Sequence, residues 1–204
     1  MPVVLLVRHG QASFGAADYD VLSDLGREQA TALGPELRRR GLRDPVLVSG
    51  ALRRQRDTAA LLGLGDPTVD SRFDEYDHLG LLTRYPSAAS DDGSSRGMQV
   101  LLDDALASWV ADPSGTYPAF VEGATDALRE VATRDAVVVT SGGVIAALAD
   151  RLLGLGGAGV VALNRVAANA AVSKVVVGRS GASLVSYNEH ALFDGPQRRL
   201  LSYR

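Results

Sequence analysis

Three short apolar runs constrain the architecture most. Val3-Val4-Leu5-Leu6-Val7, Val46-Leu47-Val48 and the stretch from Ala136 to Thr140 are of strand length and almost wholly aliphatic, with no polar alternation. Strands of this kind are buried on both faces and need helices above and below their sheet. Helical patterns separate them. Ser23 can cap a helix running to about Arg40, with Asp24 in its first turn, Ala30, Leu33 and Leu37 as an apolar stripe, and Gly41 just beyond. Pro35 predicts a kink or break near Gly34. Further helices are read over 51–62, ended by Gly63, and over 97–111, 120–133 and 143–153. Thr68-Val69-Asp70 reads as a short edge strand, and strands over 170–177 and 182–187 flank the turn Gly178-Arg179-Ser180-Gly181. Residues 11–22 read as a loop, and the polar stretch 84–97 as a mobile loop or inserted segment. The alternation predicts an α/β three-layer sandwich with a mainly parallel central sheet. It is expected as a single domain over 1–204, with a mobile insertion or lid around 80–118.

In such sheets, ligands bind beyond the carboxyl ends of the strands. That rule selects three junctions: Arg8-His9-Gly10, Ser49-Gly50-Ala51-Leu52-Arg53-Arg54 and Thr140-Ser141-Gly142-Gly143. The last two run into helix N-termini, where free N–H groups and the dipole favour an anion. An imidazole released from a buried strand can act as nucleophile, and guanidinium groups offer planar forks of donors to phosphoryl oxygens. Together the junctions point to a phosphate site.

Composition excludes other chemistry. The 204 residues carry a net charge of −3, which gives no support to nucleic-acid binding. Arg38-Arg39-Arg40 and Arg198-Arg199 read as a solvated helix face and tail. Without cysteine there is no disulfide, zinc–thiolate site or thiol nucleophile. The three histidines are scattered, so neither metal nor cofactor is expected. No run approaches a membrane span and no export signal opens the chain, so a cytoplasmic protein without a membrane partner is expected. Gly154-Leu155-Gly156-Gly157-Ala158-Gly159 matches G-x-G-x-x-G, yet it follows a helix rather than a strand and reads as a helix-terminating loop.

With these residues in place, the chain resembles the histidine phosphatase superfamily, also called phosphoglycerate mutase-like, over nearly its full length. Leu6-Val7-Arg8-His9-Gly10-Gln11 is similar to the opening signature, and the stretch from Leu22 to Ala30 to the "L-T-x-x-G-x-x-Q-A" helix start. The stretch from Ser49 to Ala59 resembles the segment of the second phosphate-binding arginine, which falls on Arg54. Arg72-Phe73-Asp74-Glu75 resembles the segment of the acidic proton donor, which falls on Glu75. The resemblance implies phosphoryl transfer through a phosphohistidine on His9, with Arg8 and Arg54 holding the phosphoryl oxygens and Glu75 as general acid and base. One position departs. Ser141 stands where the family usually has a second histidine, which implies a retuned or slowed enzyme. His78, three residues after Glu75, is a candidate stand-in. Gln11, Ser13, Ser141 and Gly142 are candidate phosphate or substrate contacts. His190 resembles a C-terminal stretch of the family and reads as structural.

Three functions stay open on the sequence. The first is a phosphomonoesterase acting on a small phosphorylated metabolite. The others are a weak or inactive member that binds a phosphorylated ligand or protein, and a mutase-type phosphotransferase. A homodimer is a further expectation.

Overall fold

The structure is a computed structural model and describes residues 1–13, 20–89 and 93–203. Parts of the loops read over 11–22 and 84–97 therefore lie outside the described residues. The strands are β1 (Val3–Arg8), β2 (Val46–Ser49), β3 (Thr68–Val69), β4 (Ala136–Thr140), β5 (Val172–Gly178) and β6 (Gly181–Glu189). The helices are α1 (Asp24–Arg39), α2 (Arg53–Leu61), α3 (His78–Arg84), α4 (Ser95–Ala111), α5 (Tyr117–Val131), α6 (Gly142–Leu153) and α7 (Val160–Val166). Short 3-10 turns follow at Ser71–Phe73, Ala191–Phe193 and Gly195–Leu200.

The sheet is mixed, in the order β3-β2-β4-β1-β5-β6. β3, β2, β4 and β1 run parallel, and β5 and β6 are added antiparallel at one side. The register brings the strand ends level: Val7 lies opposite Val139, Arg8 opposite Thr140, and Ser49 opposite Val139 on the other side. The three polar junctions thus emerge side by side at one edge of the sheet.

Alternate residues of the central strands feed two separate cores, as a doubly covered sheet requires. Val4, Leu6 and Val138 pack with Ala124, Ala127 and Leu128 of α5 and Val144, Ile145 and Leu148 of α6. Leu5, Val7, Val137 and Val139 face the other way, onto Leu33 and Leu37 of α1, Ala59 of α2 and Leu62 beyond it. A third cluster joins Leu81 of α3, Leu106 and Trp109 of α4, Tyr117 and Val121 of α5, and Val160 of α7. It builds a superstructure over the end of the sheet where the junctions lie.

Two glycines explain how the first helix is seated. A Cβ on Gly26 would lie 2.1 Å from the Gln11 carbonyl oxygen, and one on Gly10 would lie 2.3 Å from the Gly26 carbonyl oxygen. The first turn of α1 therefore rests directly on the loop after His9. Gln29, fully buried, completes the joint. Its Oε1 accepts from the Gln11 N–H at 2.8 Å, and its Nε2 donates to the Leu200 carbonyl at 2.6 Å and to Ser202 Oγ at 2.9 Å.

Several elements differ from the reading of the sequence. α1 runs as one helix through Pro35 instead of breaking near Gly34. Leu33 and Leu37 lie in one core on either side of the proline, and their burial outweighs one lost backbone hydrogen bond. α3 and α7 are additional. α3 is a single short segment started by Asp77, whose carboxylate accepts from the N–H groups of Leu79 at 3.1 Å and Gly80 at 3.0 Å. α7 follows the glycine-rich run. That run ends α6 with Gly154 at φ +68° and is held by buried Asp150, which accepts from Gly157 N–H at 2.7 Å and Gly159 N–H at 2.8 Å. Among the described residues no helix is long and apolar enough to cross a membrane.

Candidate active site

β1 ends by placing His9 in the interior, where it is 4% exposed. Its backbone N–H continues the ladder to the Thr140 carbonyl at 2.9 Å. The ring has one arrangement consistent with its neighbours. Nδ1 lies 2.7 Å from the Gly10 carbonyl oxygen, which can only accept, so Nδ1 carries a proton. Nε2 lies 3.1 Å from Arg54 Nε, which can only donate, so Nε2 presents its lone pair. His9 is a neutral imidazole with Nε2 as the free base. Burial holds its pKa well below the ordinary value of 6.5, and the positive charges of Arg8 and Arg54 add to the effect against the Gly10 hydrogen bond.

The two arginines come from different segments. Arg8 Nη1 donates to the Ala167 carbonyl and, at 2.8 Å, to the Tyr203 carbonyl, so the loop after α7 and the chain end orient it. Arg54, in the first turn of α2, is 7% exposed. Thr58 ties that helix to the loop after His9: its hydroxyl accepts from the Gly10 N–H at 3.0 Å and donates to the Arg54 carbonyl at 2.7 Å.

Glu75 follows the 3-10 turn Ser71–Phe73 and reaches the start of α6. Its Oε2 accepts from the Gly143 N–H at 3.1 Å and its Oε1 from the Tyr76 N–H at 3.3 Å. A Cβ on Gly143 would lie 2.3 Å from Glu75 Oε1 and 2.2 Å from Tyr76 Cε1, so glycine is needed for the carboxylate to dock there. Burial raises the Glu75 pKa above its ordinary 4.5, against the opposing pull of the Gly143 N–H, the two arginines and the Tyr76 N–H. A neutral imidazole and an acid biased toward its protonated form thus face the same space.

That space is a cavity of about 100 Å³. Arg8, His9, Arg54, Glu75 and His78 all line it, together with Ala12, Tyr76, Leu102, Asn164 and Asn169. It has room for a phosphoryl group between the arginines and the acid. A larger open groove of about 650 Å³ lies at the opposite end of the sheet, around Arg40, Arg43, Asp135 and Lys174, and contains no histidine. The smaller cavity is the one that brings His9, Glu75 and the two arginines together.

The remaining candidates from the sequence do not line the cavity. Gln11 is drawn to the start of α1, where its Oε1 accepts from Ser23 Oγ at 3.0 Å, and the Ser13 N–H donates to the Val21 carbonyl at 2.8 Å. Ser141 is fully buried, and its hydroxyl oxygen accepts from Gln55 Nε2 at 2.8 Å. Gln55 Nε2 also donates to the Phe73 carbonyl at 3.0 Å. Gly142 lies against Asn164 and Arg8, where a Cβ would come within 2.9 Å of Asn164 Oδ1 and 3.4 Å of Arg8 Nε. None of these four lines the cavity among its described residues. His190 Nδ1 contacts the Asn188 carbonyl at 2.8 Å, away from the cavity.

Sequence reasoning did not single out Tyr76, Leu102, Asn164 and Asn169. Tyr76 packs on Trp109 and Phe120, with centroids 5.3 and 6.2 Å away, and its hydroxyl accepts from Asn164 Nδ2 at 3.3 Å. Its place beside Glu75 was the available signal. Asn164 sits on α7, an element the sequence did not reveal, and Leu102 is one apolar residue among many on α4.

Comparison with known proteins gives the family. The model of the histidine phosphatase superfamily (branch 1) matches residues 4–190, and the chain belongs to that superfamily. A glucosyl-3-phosphoglycerate phosphatase from Mycolicibacterium vanbaalenii is 34% identical over 174 residues, 74% of each chain. A mycobacterial glucosyl-3-phosphoglycerate phosphatase structure, complexed with VO3, superposes with a TM-score of 0.65 at 26% identity, covering 93% of this chain and 100% of the other. YhfR of Bacillus stearothermophilus shares the fold, with a TM-score of 0.70 at 18% identity, covering 95% of this chain and 100% of the other.

Proposed function

We propose that this protein is a phosphomonoesterase that hydrolyses a small phosphorylated metabolite through a phosphohistidine on His9. The observation that carries the reading is the forced tautomer of His9. A neutral ring with its proton on Nδ1 keeps the Nε2 lone pair for phosphorus, held by a hydrogen bond from Arg54 Nε until that guanidinium turns to the phosphoryl oxygens. The glucosyl-3-phosphoglycerate phosphatase relatives support a phosphorylated sugar acid or similar metabolite as substrate.

In the first step His9 Nε2 bonds to phosphorus as the bond to the leaving oxygen breaks, and Glu75 gives that oxygen its proton. Arg8 and Arg54 hold the equatorial oxygens and offset the charge that develops there. In the second step a water attacks phosphorus, Glu75 takes its proton, and the N–P bond breaks. The arginines supply the positive charge, so the scheme needs no metal. His78, at the start of α3, faces the cavity that Ser141 does not line, and supplies a donor in place of the histidine usual at 141. Leu102 brings α4 onto the cavity, and α3 with α4 serves as its lid.

The test is phosphate release by wild type and His9→Ala from a panel of metabolite phosphates in EDTA. Hydrolysis by wild type that is lost in the variant is expected. Binding of the same compounds with no His9-dependent release would overturn the reading in favour of a non-hydrolytic binder.

A further inference from the structure

Asp20 stands shortly before α1 and belongs to none of the motifs read from the sequence. Its carboxylate is held by the start of α2. Oδ2 accepts from the Arg53 N–H at 2.8 Å, and Oδ1 accepts from Arg54 Nη1 at 2.8 Å and from the Arg54 N–H at 3.4 Å. Leu52, at the cap position of α2, has no side-chain oxygen to offer those amides, so Asp20 supplies one from another segment. Helix N–H groups with a guanidinium are also the donor set that phosphoryl oxygens use. The Arg54 side chain is 9% exposed and that of Asp20 35%, so the arginine charge is largely withdrawn from water and relies on a counter-anion.

Arg54 meanwhile holds the nucleophile. Its Nε donates to His9 Nε2 while its Nη1 is bound to Asp20. The lone pair that must attack phosphorus is engaged for as long as this arrangement lasts, and a phosphoryl group must draw Arg54 off His9 before reaction.

We propose that Asp20 is a positioning residue that holds Arg54 across His9 and competes with phosphoryl oxygens for the same guanidinium. The proposal rests on the reading of this cavity as a phosphate site. Its consequence is weak retention of inorganic phosphate, because the departing product leaves a cation whose resident anion is already in place. That suits turnover by hydrolysis.

Titration of wild type, Asp20→Asn, Asp20→Ser and Asp20→Glu with inorganic phosphate by calorimetry tests it. Asn and Ser each keep an oxygen that can cap α2 but carry no charge, and either suffices should the other fail to fold. Both are expected to bind phosphate about fivefold more tightly, the scale of one partly exposed ion pair. KM and kcat are expected to fall together as product lingers, and Asp20→Glu to restore weak binding. Thermal midpoints report the capping role separately. Unchanged or weaker phosphate binding in Asn and Ser would overturn the proposal, as would absence of phosphate binding in all four proteins. Phosphate release by wild type against His9→Ala judges the hydrolase reading independently.

Discussion

At the scale of single residues, the account rests on two groups whose pKa values are shifted in opposite directions. Burial and two cations lower the His9 pKa, and burial raises that of Glu75. The signs fix the shape of the pH profile. Activity is lost as pH falls through the His9 pKa, below 6.5, because protonation removes the attacking lone pair. It is lost again as pH rises through the Glu75 pKa, above 4.5, because ionisation removes the donated proton. Glu75→Gln should cost about 10²–10⁴ in kcat/KM on alkyl phosphates, much less on an aryl phosphate whose leaving group needs no proton, and should erase the alkaline limb. Equal losses on both substrates would show that Glu75 is not the proton donor. Much of this was legible in the sequence, because Arg8, His9, Arg54, Glu75 and His78 stand in or beside contiguous motifs. The fate of Ser141 was not. Its partner Gln55 lies 86 residues away, and only the fold shows the two meeting in the interior.

At the scale of elements, the motifs carry joints as well as chemistry. The glycine and glutamine of the α1 signature, Gly26 and Gln29, seat the helix on the loop after His9 and anchor the chain end. Asp150 does the same for the glycine-rich run, as acceptor for two amide groups that lead into α7. Asp150→Ala leaves both donors without that acceptor and should destabilise the protein by about 1–3 kcal/mol. Urea unfolding checks this as a lower midpoint at unchanged slope, and an unchanged midpoint would mean that the run is not held by Asp150. The central strands were readable as unbroken aliphatic runs, and the long helices by their periodicity and by ends such as Ser23, Gly41, Gly63 and Gly154. α3 and α7 were not, since seven residues give too little periodicity and α7 emerges from a glycine run.

At the scale of the whole molecule, strand order converts three distant segments into one site. β4 lies between β1 and β2, so the ends at Arg8, Ser49 and Thr140 are neighbours although 132 positions separate the first from the last. Parallel strands point all three junctions the same way, and His78 of α3, Leu102 of α4 and Asn164 of α7 line the cavity with them. The antiparallel pair β5 and β6 extends the sheet beyond β1 without adding a junction of this kind, so the parallel strands alone bring the three junctions together. The central claim is covalent: phosphate passes through His9. Acid-sparing quench of the protein during turnover of an aryl phosphate, followed by peptide mass spectrometry, tests it most directly. The account predicts one phosphoryl group on His9, absent from His9→Ala. Turnover with no modified His9, or with the phosphoryl group on another residue, would contradict it.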